Sequence, residues 1–128
     1  MLKSFLLLLP VLFVAFTASA CSQNYKNVDV SEAKKMIDKQ KVVLVDVRTD
    51  GEWNAGHLKD AKHIDISKPD FDKKISELKK DATVIVYCAV GGRSSRAAGM
   101  MSSKGFSKVY NMDGGINAWA ANGFPIVK

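Results

Sequence analysis

Two stretches of this chain, Val42-Val43-Leu44-Val45-Asp46-Val47 and Thr83-Val84-Ile85-Val86-Tyr87, are β-branched and almost unbroken in their hydrophobicity. A strand with one wet face alternates apolar and polar residues. A run that is apolar at nearly every position must be covered on both sides, as in a central strand of a parallel sheet packed between helices. Segments of helical period stand between such runs. Ser31 is positioned to cap a helix whose inner face is Ala33, Met36 and Ile37. Phe71, Ile75 and Leu78 form a stripe at i, i+4 and i+7, and residues 94–104 are small enough to pack close to a sheet. Residues 61–64 read as a short strand, 108–110 as an edge strand and 114–120 as a closing helix. With no repeat or low-complexity stretch, the pattern is α/β.

The first twenty residues belong to a different kind of segment. Lys3 precedes an uncharged apolar run over residues 5–16, and Ala18, Ser19 and Ala20 close it. That is the organisation of an export signal, with cleavage expected after Ala20. The run falls short of the roughly 20 apolar residues that a membrane span needs. Residues 21–25 then read as an attachment site and polar tether, and residues 26–128 as one domain, since the remaining length suffices for one core and not for two. The sequence Ala18-Ser19-Ala20-Cys21 resembles the lipobox of bacterial lipoproteins, which implies acylation of Cys21 and a membrane contact through that lipid. It also implies the periplasmic face of a bacterial membrane, or a free periplasmic protein if Cys21 is not acylated.

The whole chain carries a formal net charge of +6. Lys34, Lys35, Lys39, Lys73, Lys74, Lys79 and Lys80 fall on the polar faces of expected helices, without interleaved aromatic residues, so a nucleic-acid surface is not indicated. The two cysteines are Cys21 and Cys88. With Cys21 acylated no internal disulfide can form, and Cys88 is a lone thiol in an oxidising compartment, a liability unless it is buried or has a task.

Cys88 follows the second apolar run directly and opens the loop Cys88-Ala89-Val90-Gly91-Gly92-Arg93, with Ser94-Ser95 beyond. In parallel sheets ligands bind past the carboxyl ends of the strands, where the next helices begin, and Asp46-Val47-Arg48 lies at the other such end. Adjacent glycines allow positive φ and let backbone amides turn inward as an anion cradle. Those amides and a helix N-terminus favour thiolate over thiol, by up to about 2 kcal/mol for the terminus, which is more than about tenfold in thiolate population. The same donors suit the terminal sulfur of a persulfide.

Tyr87-Cys88-Ala89-Val90-Gly91-Gly92-Arg93-Ser94 resembles the active-site signature of rhodanese-like domains, a strand followed by Y-C-x-x-G-x-R-S. Asp46-Val47-Arg48, Glu52 with Gly56-His57-Leu58 and Ala61, and Gly114-Gly115 with Trp119 extend the resemblance over roughly residues 26–127. It implies a three-layer domain with about five strands, mostly parallel, and helices on both faces. It further implies a sulfurtransferase in which Cys88 takes a sulfane sulfur from a donor such as thiosulfate or a persulfide and passes it to a thiol, to a cyanide-like acceptor or to a protein. No metal or organic cofactor is implied. Phosphatase and arsenate-reductase relatives of this architecture use a longer C-x5-R loop, whereas residues 89–92 are all that separates Cys88 from Arg93, which favours sulfur over an oxyanion. Ala89 and Val90 are uncharged where thiosulfate-using relatives often carry a basic residue, which counts against thiosulfate as the physiological donor.

Ala89, Val90, Gly91, Gly92, Arg93 and Ser94 are thus the candidate substrate-binding residues around catalytic Cys88. Arg93 is open to two readings, contact with an anionic substrate or pairing with a carboxylate such as Glu52. Asp46 and Arg48 read as a structural pair at the pocket floor, and Glu52 as a support. Asp60 and Met112 depart from the family pattern in a surface turn and in the core. His57 and His63 have no third ligand in view for a metal. Trp53 and Trp119 read as core cover. The reading from another class is a non-turnover binding or sulfur-relay module that docks a partner protein at the Cys88 loop.

Overall fold

The computed structural model describes residues 13–15 and 24–128. Apart from residues 13–15, the segment read as an export signal lies outside the described residues, as does Cys21. The elements run β1 (Tyr25–Val28), α1 (Val30–Lys39), β2 (Val43–Asp46), α2 (Asp50–Ala55), β3 (Lys62–His63), α3 (Phe71–Ser76), β4 (Thr83–Tyr87), α4 (Gly92–Ser103), β5 (Lys108–Met112) and α5 (Gly115–Ala121). One five-stranded sheet has the order β1-β5-β4-β2-β3, and every pairing is parallel.

The two apolar runs become β2 and β4, side by side at the centre in the register Val43 to Val84 and Asp46 to Tyr87. Side chains alternate across the pleat, so each run feeds two cores. Val45, Val47, Val84, Val86 and Cys88 face α3 and α4, against Phe71, Ile75, Ala97, Ala98 and Met101. Leu44, Ile85 and Tyr87 face the other layer, where Val30, Ala33, Met36, Met112, Ile116 and Trp119 pack. Helices therefore cover both faces, in the three layers expected.

Four local expectations are corrected. Residues 108–110 are no edge: β5 extends to Met112 and lies between β4 and β1. The edge is β1, which begins at Tyr25 within the stretch read as tether. Its exposed Lys26 and Asn27 hid a short strand held by backbone pairing to β5 and by Asn111 Nδ2 donating to Asn27 Oδ1 at 3.0 Å. The first helix is capped by Asp29, whose carboxylate accepts from Glu32 N at 2.8 Å, so that Val30 can be buried; Ser31 is inside the helix. Finally, Trp119 is core but Trp53 is not. Trp53 is half-buried outside both core clusters and stacks on His57 and His63, at centroid distances of 3.6 and 4.8 Å.

Candidate active site

The loop after β4 wraps around its own cysteine. Cys88 is 1% exposed; Gly91 N donates to Sγ at 3.1 Å and the Ser94 hydroxyl lies 3.3 Å from it. Gly91 makes this possible: its φ of 116° belongs to the left-handed region, and it is the N-cap of α4. Burial pushes the Cys88 thiol up. The Ser94 hydroxyl, with the backbone N–H groups of Ser94, Gly91 and Val90, outweighs burial and holds the thiol below its ordinary value. Ser94 Oγ also donates to Gly91 O at 3.1 Å. It can therefore accept from the neutral thiol, and turn its proton to sulfur once the thiolate forms.

A second helix fixes the outer half of the loop. Ile116 N donates to Cys88 O at 2.9 Å and Asn117 N to Ala89 O at 3.1 Å, so the first turn of α5 holds two loop carbonyls. The approach is so close that a Cβ on Gly115 would collide with the carbonyls of Cys88 and Ala89. The Gly114-Gly115 pair is therefore part of the site as a backbone requirement, which the motif at the end of the chain signalled without stating its reason.

Arg93 leaves the loop sideways. Its guanidinium grips Glu52 through two bonds, at 2.7 and 2.9 Å. This pairing, together with the Thr49 hydroxyl, takes the Glu52 carboxyl down from its ordinary 4.5 to about 2. Of the two readings of Arg93, the structure contains the pairing. Two of its five N–H donors are engaged, and donors remain for a ligand. Glu52 sits on α2, an element the apolar pattern did not reveal because none of its residues is buried. Its signal is the capping box Thr49-x-x-Glu52: the Thr49 hydroxyl accepts from Glu52 N at 3.4 Å and Thr49 N donates to Glu52 Oε1 at 3.4 Å, with the Thr49 hydroxyl also donating to Oε1 at 3.0 Å.

Asp46 and Arg48 form the expected pair at the end of β2. Arg48 Nη2 donates to Asp46 Oδ2 at 2.7 Å and to Gly56 O at 2.7 Å, with both side chains buried. Arg48 O accepts from His63 Nε2 at 2.7 Å, and Tyr87 OH accepts from Leu58 N at 3.0 Å. Burial pushes the Tyr87 phenol up, so it stays neutral. This network ties residues 56–58 to the ends of β2 and β4 and reaches no reacting atom. Tyr87 reads as part of the motif and His63 is weighed only as a metal ligand; sequence reasoning does not reach their role as supports. Tyr87 adjoins Cys88, whereas His63 stands in β3, and only the fold gives either its partner. Ala89 and Val90 form the rim, with Val90 66% exposed.

Fold and loop together define an α/β protein that presents one thiol, ringed by donors, at the carboxyl end of its sheet. Residues 29–122 match the family described as Rhodanese-like domain. A sulfurtransferase of Allochromatium vinosum is 37% identical over 97 residues, covering 76% of this chain and 89% of that protein. The thiosulfate sulfurtransferase GlpE of Pseudomonas fluorescens is 39% identical over 89 residues, 69% of this chain and 79% of its own. A rhodanese-related protein of Thermoplasma volcanium superposes with a TM-score of 0.72 at 28% identity, over 80% of this chain and 98% of that one. The polysulfide-sulfur transferase of Wolinella succinogenes, at 23% identity and a TM-score of 0.68 over 84% of this chain and 81% of its own, shares the fold. The chain belongs to the rhodanese-like domain family, and several of its relatives are named sulfurtransferases.

Proposed function

We propose that this protein is a rhodanese-type sulfurtransferase that moves sulfane sulfur from a donor such as thiosulfate or a persulfide to a thiophilic acceptor through a persulfide on Cys88. The observation that carries the reading is the donor set on Sγ: Gly91 N at 3.1 Å and the Ser94 hydroxyl at 3.3 Å, closing over a thiol held below its ordinary pKa. The thiolate attacks the outer sulfur of the donor. An Sγ–S bond forms, the donor's S–S bond breaks, and sulfite or a thiolate leaves with the electron pair. The acceptor, a thiolate or cyanide, then attacks the terminal sulfur, and Cys88 departs as thiolate into the same amides. Electrons balance within the two displacements, so the scheme calls for no metal or organic cofactor. The loop amides and the N-terminus of α4 serve both anionic states.

A second reading has its own observation. The uncharged, 66% exposed Val90 stands on the rim, and Arg93 is engaged by Glu52, so the mouth suits a protein persulfide carrier as well as a small dianion. Steady-state sulfur transfer from thiosulfate to cyanide by the full chain decides between them. A rate abolished by Cys88→Ser supports the enzyme. Full activity in that variant would overturn the assignment, and Cys88-bound sulfur without turnover favours the relay module. Export with acylation of Cys21 belongs to the same proposal, on the residues 18–21 pattern. Intact mass of the exported protein should show acyl chains on Cys21, and an unmodified chain starting at residue 21 would reject it.

A further inference from the structure

Because all five strands are parallel, the molecule has two chemically different ends. The Cys88 loop and the first turns of α4 and α5 occupy one. The other gathers the strand starts at Tyr25, Val43, Thr83 and Lys108 and the last turns of α1, α3 and α4. Lys39, Lys41, Lys79, Lys80 and Lys108 lie at this second end. All five are exposed, and among the described residues none of them forms an ion pair. Compensation of a helix dipole accounts for Lys39, in the last turn of α1; the others lie outside helices. Between the starts of β2 and β4 opens a cleft of about 590 Å³, lined by Lys41, Lys62, Lys79 and Leu78 together with the carboxylates Glu77 and Asp81.

The chain also enters the domain at this end. Tyr25 opens β1, the apolar run over residues 5–16 precedes it, and Cys21 stands four residues before it, a reach of at most about 14 Å. We propose that the lysine-rich end of the sheet is a docking surface for anionic phospholipid headgroups, which sets the domain on the bilayer with the Cys88 mouth facing the aqueous side. Two independent features converge on it: the charge, which is attracted to an anionic leaflet, and the point of attachment, which brings that same end to the membrane. The orientation rests on the N-terminal segment reaching the membrane, whether through Cys21 acylation or through the apolar run. The length of β4 separates the lysine end from Cys88 by about 17 Å, so substrate reaches the thiol without crossing the lipid surface.

The test is lysine footprinting on the full chain. The protein is bound to vesicles of phosphatidylcholine with or without phosphatidylglycerol, treated with an acetylating reagent, and read by mass spectrometry, with the mass of Cys21 recorded in the same spectra. Acetylation of Lys41, Lys79, Lys80 and Lys108 is expected to slow by about fivefold or more in the anionic vesicles. Lys68, held by Asp50 near the Cys88 end, should react at an unchanged rate. The triple variant K79Q/K80Q/K108Q, with an unchanged circular dichroism spectrum, should lose the protection of Lys41. Equal protection in neutral vesicles, protection of Lys68 in place of the basic end, or the same protection by inorganic phosphate alone would each overturn the proposal. If Cys21 proves unmodified and the footprint still forms, the surface stands without the acyl anchor.

Discussion

Cys88 is almost fully buried, and burial alone would make it a poor thiolate. Its chemistry depends on how many donors the loop aims at one sulfur, and Ser94 contributes the largest of the favourable interactions. Ser94→Ala should raise the Cys88 pKa and move the acid limb of the pH–rate profile to higher pH, with the fold intact by circular dichroism. An unmoved limb would mean that the backbone amides suffice. Gly115 acts on the same sulfur through the loop carbonyls. Gly115→Ala places a Cβ against Cys88 O and asks for φ near 59°. The backbone strain is worth about 1–3 kcal/mol, readable as a lower urea midpoint together with reduced sulfur transfer. At this scale the sequence was informative where a residue's task is local. Cys88, Gly91 and Ser94 could be read from the loop itself and Glu52 was already named as a partner for Arg93, whereas the two-bond geometry of that pair and the burial of the Tyr87 hydroxyl depend on chain segments that only the fold brings together.

Among the elements, α2 shows what hydrophobic periodicity leaves out. It buries no residue, yet it carries Glu52 to Arg93 and so links the loop to the opposite side of the mouth. A short, wet helix of this kind is specified by its cap, and the Thr49–Glu52 box is a sequence signal of a different type from an apolar stripe. The Glu52 carboxyl has a folded pKa of about 2 against an ordinary 4.5, so its pairing stabilises the folded state fully above about pH 4.5 and loses that contribution as pH falls toward 2. Both partners are about one-third exposed, and solvent screening keeps the effect modest. Thermal unfolding across this pH range should show a decline that Glu52→Gln lacks. Parallel declines in the two proteins would assign the acid sensitivity elsewhere. The polar strand β1 was hidden for the converse reason: its pairing to β5 supplies the stability, and Lys26 and Asn27 give no apolar signature.

For the molecule as a whole, the two continuous apolar runs decided the architecture, since strands that demand cover on both faces leave little choice but helices on either side of a parallel sheet. The order of the strands was less legible. Residues 108–110 read as an edge because the neighbour that encloses them, β1, was not recognised. The central placement of β4 means that its side chains support both cores. Ile85→Ala, at a position with no exposure, should cost about 2–5 kcal/mol in urea unfolding and lower transfer activity only through the folded fraction. The same architecture delivers Cys88 to the carboxyl end of the sheet, where α4 and α5 begin and the loop amides converge. The measurement that tests this account most directly is the intact mass of the protein after exposure to a sulfane donor. The account predicts one added sulfur on the wild-type chain, removed by cyanide, and none on Cys88→Ser. Sulfur retained on the variant, or absent from the wild type with thiosulfate and persulfide donors alike, would contradict it.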